Sequence, residues 1–174
     1  AWSASDETAR SEWHTYTYRA PASTPVNGAP TIWQDFILGI LDGAGEFLLD
    51  DISLIEDPDG AAIERLQNGS FDEGSAHWRL LGNHRHSVVE DDDTGNNVLR
   101  VVSKGATEYQ GNQLETTLAD GARIQANAIY EVSYRARWLS GASQINTRLY
   151  FGRAAKTTVL TVPTSNGTPG RQNS

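Results

Sequence analysis

Short runs of apolar and β-branched residues, cut apart repeatedly by clusters of Gly, Asn, Asp and Pro, leave this chain little choice but to build strands. Eight such runs stand at residues 13–19, 31–40, 46–55, 98–103, 113–117, 129–139, 144–151 and 157–162. They predict an all-β fold, an antiparallel β-sandwich with a strand count that suits a jelly roll. The turn signal Asp57-Pro58-Asp59-Gly60 separates two of them, and residues 61–67 read as a short helical turn or a strand lead-in.

Two runs alternate clearly enough to assign faces. Tyr130, Val132, Tyr134, Ala136 and Trp138 share one side, and Glu131, Ser133, Arg135 and Arg137 the other. Likewise Ile145, Thr147, Leu149 and Phe151 point inward, which leaves Asn146, Arg148 and Tyr150 opposite. If these strands are neighbours, Arg135, Arg137, Arg148, Asn146 and Tyr150 make one polar, partly aromatic surface fit to hold a sugar.

With 174 residues, of which 38% are hydrophobic, the chain is long enough for one buried core. Residues 1–162 are read as a single module, and the Pro-, Gly- and Asn-rich residues 163–174 as a linker or tail. A net charge of −8 opposes nucleic acid, whose binding rests on clustered Lys and Arg. The longest apolar run, 36–41, falls far short of the roughly 20 residues that a bilayer-crossing helix needs, so membrane insertion is not expected. Cys is absent, which leaves oxygen and histidine as metal ligands. Met is absent even at position 1, and the chain is therefore expected to be excised or processed from a larger polypeptide.

Nucleophile-elbow, P-loop and dinucleotide motifs are missing from the sequence, and none of its 22 acidic residues is singled out as a facing pair for acid/base work. A non-catalytic chain is the expectation, with a glycan-active enzyme as a distant alternative.

The segment Asn68-Gly69-Ser70-Phe71-Asp72-Glu73-Gly74, followed by Trp78, resembles the opening strand of carbohydrate-binding modules of the 4/9 type, within the galactose-binding-like jelly rolls. Gly45-Glu46-Phe47-Leu48-Leu49-Asp50-Asp51-Ile52-Ser53-Leu54 resembles their closing strand. The closing motif comes first here. The chain is thus either the end of one module and the start of the next, or one circularly permuted jelly roll. The second is favoured, because the strands before residue 56 and after residue 68 together complete one sandwich. The tail and Tyr134-Arg135-Ala136-Arg137-Trp138-Leu139-Ser140-Gly141 are also similar to segments of large extracellular bacterial proteins that carry lamin-tail-type and spore-coat-kinase-like domains. These resemblances imply a secreted or cell-surface, monomeric module that binds polysaccharide or oligosaccharide beside neighbouring domains of the same polypeptide. The rival is a structural spacer with no ligand.

The apolar alternation through Phe47 and Leu49 resumes at Ile52 and Leu54, one residue out of phase, which predicts a β-bulge at Asp50-Asp51. The resemblance implies a structural Ca²⁺ held between Asp72 and Asp51, with Asp50 as the alternative ligand. The acidic run at 90–97 reads as a solvated hairpin turn, and His84 and His86 as two residues on one face of a surface strand. Of the five Trp, Trp13, Trp78 and Trp138 read as buried, whereas Trp33 and Tyr109 are the better candidates for exposure. The expected sugar-binding surface is Trp33, Tyr109, Gln113, Arg135, Arg137 and Arg148.

Overall fold

The computed structural model describes residues 12–22, 34–40, 45–82, 85–91, 94–103, 113–141, 145–150 and 158–161. Among them stand eleven strands: β1 (His14–Pro21), β2 (Asp35–Ile40), β3 (Gly45–Glu56), β4 (Ile63–Glu64), β5 (Trp78–Leu81), β6 (Arg85–Glu90), β7 (Asn97–Ser103), β8 (Gln113–Thr117), β9 (Ile129–Gly141), β10 (Ile145–Tyr150) and β11 (Thr158–Thr161). A single 3-10 turn at Ala119–Gly121 is the only helical element among these residues.

All pairings are antiparallel and form two sheets. The first runs β1-β9-β3-β7-β6, with β4 attached to β3, and the second runs β11-β10-β2-β8-β5. Their inner faces meet in one core that takes Tyr16, Phe47, Leu49, Leu54, Leu99, Val101, Tyr130 and Tyr134 from the first sheet, and Phe36, Leu38, Trp78 and Leu114 from the second. The chain is an all-β antiparallel sandwich, as its sequence predicts.

The alternation in β9 is realised: Tyr130, Val132, Tyr134 and Ala136 are buried, while Glu131, Ser133, Arg135 and Arg137 on the other face are half-buried. Both edges of β9 are occupied, by β1 and β3. That leaves no free edge of β9 for β10, which pairs with β2 in the second sheet instead. The neighbour relation that would gather Arg135, Arg137, Arg148, Asn146 and Tyr150 on one surface is therefore not realised. Strands β4, β5 and β6 fall outside the eight expected runs; β5 and β6 are outermost strands of their sheets, and β4 is a two-residue strand attached to β3.

The bulge falls where the phase shift puts it. Asp50 pairs with Arg135 and Ser53 with Ser133, so three steps on β3 oppose two on β9. Asp51 takes up the slack at φ 49°, in the left-handed region. Before it Phe47 and Leu49 face the core, and after it Ile52 and Leu54 do.

The Asn68 loop closes the sandwich against that bulge. The Asn68 side chain acts as a backbone surrogate: Nδ2 donates to the carbonyls of Gly74 at 3.0 Å and Ala76 at 2.8 Å, and Oδ1 accepts from the Glu73 amide at 3.0 Å. Its own carbonyl accepts from the Trp78 indole N–H at 2.9 Å. Phe71, fully buried, packs against Trp78 with ring centroids 5.8 Å apart, and Trp78 meets Phe36 edge-on at 6.3 Å. Burial of each such ring is worth about 2 to 3 kcal/mol. Asn68, Phe71, Glu73, Gly74 and Trp78 thus take part in closing the loop, whereas Asp72 is exposed and accepts from the Ser70 hydroxyl at 2.9 Å.

Candidate functional site on the outer face of the first sheet

The outward residues of β9, β3 and β1 converge on a mixed charged and aromatic cluster. Trp13 precedes β1, in which Tyr16, Tyr18 and Ala20 are turned toward the core. By strand parity Trp13 belongs with Thr15 and Thr17 on the outside. It is half-buried there, with the Arg135 guanidinium 4.8 Å from its ring centroid, so the expectation of a core position for Trp13 is corrected. The same parity was the signal that could have found it.

Arg135 also faces the bulge, with Nη1 at 3.2 Å from Asp51 Oδ2 and 3.6 Å from Asp50 Oδ2. Arg137, one repeat along the strand, has Nη1 at 3.7 Å from Asp91 Oδ1. Asp91 closes the group, because its Oδ2 accepts from the Trp13 indole N–H at 3.2 Å and from the Thr94 hydroxyl at 2.8 Å. It lies at the start of the turn joining β6 to β7, where a solvated run was expected, yet is only 3% exposed. Its identity as one acid among several in 90–97 gave no sequence signal for burial. Leu48 and Val98, also of outward parity, are buried as well, so this part of the face is already well covered.

Asp50 is 2% exposed. Burial pushes its carboxyl up to about 6, and the neighbouring charges of Asp51 and Asp72 act in the same direction, opposed by the Asp51 amide and by Arg135. The Asp51 amide donates to Asp50 Oδ1 at 2.8 Å. The three aspartates of the expected calcium site are thus electrostatically coupled. Among the described residues, however, no group of three or more His, Cys, Asp or Glu side chains is gathered closely enough to hold a metal ion. The Arg135 guanidinium stands beside two of the three carboxylates in the position of their counter-charge.

The remaining expected residues are elsewhere. Arg148 lies in the second sheet, in register with Ile37 and Thr161, and Gln113 in the same sheet, in register with Gly39 and Leu81. Trp33 and Tyr109 lie outside the described residues, as do His84 and the tail 163–174. The described residues of the expected sugar surface are therefore divided between the two sheets. The second sheet has its own outward strip, in which Arg79 Nε stands 3.0 Å from Glu115 Oε1 and Arg79 Nη2 stands 3.8 Å from Asp35 Oδ1.

Comparison with protein-family models, curated proteins and solved structures finds no match to this chain.

Proposed function

We propose that the chain is a non-catalytic carbohydrate-binding module of a larger secreted or surface protein, and that it takes a polysaccharide or oligosaccharide at Trp13, Arg135 and Arg137. The observation that supports this reading is the half-buried Trp13 indole on the outer face of the first sheet, with the Arg135 guanidinium 4.8 Å from its ring centroid and Arg137 facing the same Asp91 carboxylate that accepts the indole N–H. The apolar face of a pyranose stacks on such a ring, while planar donors and carboxylate acceptors bond its hydroxyls. Two arginines against the three carboxylates of Asp50, Asp51 and Asp91 leave no excess positive charge, which suits an uncharged sugar better than a polyanion.

Affinity electrophoresis with soluble glycans, pull-down on insoluble polysaccharides and calorimetry test the proposal. Binding is expected in the wild type, and its loss in Trp13→Ala and Arg137→Ala proteins that keep their fold. The spacer reading draws on a different observation: both arginines already have carboxylate partners, and Leu48, Val98 and Asp50 on this face are buried. A wild-type protein that binds nothing across the panel makes the chain a spacer. Calcium at Asp50, Asp51 and Asp72 belongs to the same proposal, and it requires Arg135 to yield its place beside Asp51.

A further inference from the structure

Asp91 sits in the turn after β6, which is one edge strand of the first sheet, and Trp13 adjoins β1, which is the other. Its carboxylate nevertheless reaches both Trp13 and Arg137. The two oxygens divide the work: Oδ2 takes the indole N–H at 3.2 Å and the Thr94 hydroxyl at 2.8 Å, and Oδ1 faces the Arg137 guanidinium at 3.7 Å. The main chain that carries this carboxylate is itself held in the turn, since the Asp91 amide donates to the Asn96 carbonyl at 2.8 Å and the Asp91 carbonyl accepts from the Gly95 amide at 2.7 Å. At 3% exposure a carboxylate is costly to bury without partners such as the Trp13 indole, the Thr94 hydroxyl and Arg137.

An indole pinned by its N–H edge cannot rotate freely about its side-chain bonds. The Arg135 guanidinium, at 4.8 Å from the centroid, further limits the ring. A ring fixed before the ligand arrives loses less conformational freedom on binding.

We propose that Asp91 is the positioning residue of this face, setting the plane of Trp13 and the reach of Arg137 so that a single sugar ring meets both. The inference rests on the carbohydrate reading for its purpose, but not for its test. The ordering of Trp13 by Asp91 can be measured on the free protein.

The experiment compares wild type with Asp91→Ala and Asp91→Asn by the heteronuclear NOE of the Trp13 indole N–H, assigned through Trp13→Phe, and then by affinity for whichever glycan the wild type binds. Asp91→Ala is expected to loosen the indole and weaken binding by about tenfold or more. Asp91→Asn keeps an acceptor for the indole but loses the charge facing Arg137; it is expected to restore the indole and only part of the affinity. A Trp13 indole equally ordered in Asp91→Ala overturns the proposal. A wild type that binds no glycan defeats the carbohydrate reading instead, and the indole measurement still decides the role of Asp91. Should Asp91→Ala fail to fold, Asp91→Asn decides: an ordered indole with weakened glycan binding sustains the proposal, and unchanged binding overturns it.

Discussion

The backbone amide of Ile52 donates to the carbonyl of Gly69 at 3.0 Å, and this bond joins the β3 bulge to the Asn68 loop. The two segments that resemble closing and opening strands of one sandwich therefore touch, and they do so at the residue after the doubled aspartate. The approach is close because position 69 has no side chain.

A β-carbon at position 69 would lie 1.9 Å from the Ile52 carbonyl oxygen and 3.0 Å from its carbon, both backbone atoms that cannot swing aside. Gly69→Ala is therefore expected to force the loop off the bulge and to cost about 3 kcal/mol. Urea denaturation would register the loss as a lower midpoint. Wild-type stability in Gly69→Ala would mean that the joint is loose.

A second constraint secures the start of β9. The Gln125 amide donates to the Tyr130 hydroxyl at 2.9 Å, five residues back along the chain, in the manner of the tyrosine corners of Greek-key sandwiches. Tyr130 is fully buried, and burial is the main reason its hydroxyl is pushed up to about 12. Tyr130→Phe keeps the ring and leaves the Gln125 amide without that acceptor. The expected cost is about 1 to 2 kcal/mol in thermal or chemical unfolding, with little change in the circular dichroism of the native state.

What could be read from the sequence was whatever period and phase express. The alternation of Tyr130, Val132, Tyr134 and Ala136 marked an inward face, and the slip between Leu49 and Ile52 marked the bulge, because both are local consequences of a two-residue repeat. Sheet membership is not local. Whether β10 joins β9 depends on β1 and β3 having taken both edges of β9 first, and a strand's own residues do not encode that competition. Hence the sequence sets Arg148 beside Arg135 and Arg137, and the sandwich puts it in the other sheet. Asp91 was hidden for a related reason: its partners Trp13 and Arg137 come from far along the chain, and its acidic neighbours make it look like ordinary turn solvent.

Asp50 links this face to pH. The ordinary aspartate value is 3.8, whereas in the folded protein the Asp50 carboxyl keeps its proton up to about 6, chiefly because it is buried. Between those two values the folded state binds more protons than the unfolded one, so the Asp50 contribution to stability falls as pH rises through that window and is constant above it. The full loss is at most about 3 kcal/mol. Asp50→Asn retains an oxygen for the Asp51 amide without a charge to desolvate. It is expected to narrow its stability deficit, or gain over wild type, between about pH 4 and about pH 7.5, with denaturant titrations run in chelator to keep metal out of the comparison. Parallel pH profiles for the two proteins would show that Asp50 titrates normally.

Calcium makes a separate demand on the same residues. A cation bound between Asp51 and Asp72 would stabilise only the folded protein, by about 2.7 kcal/mol at a hundredfold excess over its dissociation constant, and the melting temperature should rise with added Ca²⁺ and fall with chelator. Arg135 Nη1 lies 3.2 Å from Asp51 Oδ2 and its guanidinium carbon 4.8 Å from the Trp13 centroid, so a cation that claims Asp51 must also disturb the Trp13 environment. Ca²⁺ is thus expected to shift Trp13 fluorescence in step with the melting temperature, and Asp51→Asn is expected to abolish both responses. A melting temperature and an emission spectrum indifferent to Ca²⁺ would leave Arg135 as the counter-ion of the bulge and remove calcium from the chemistry of this face.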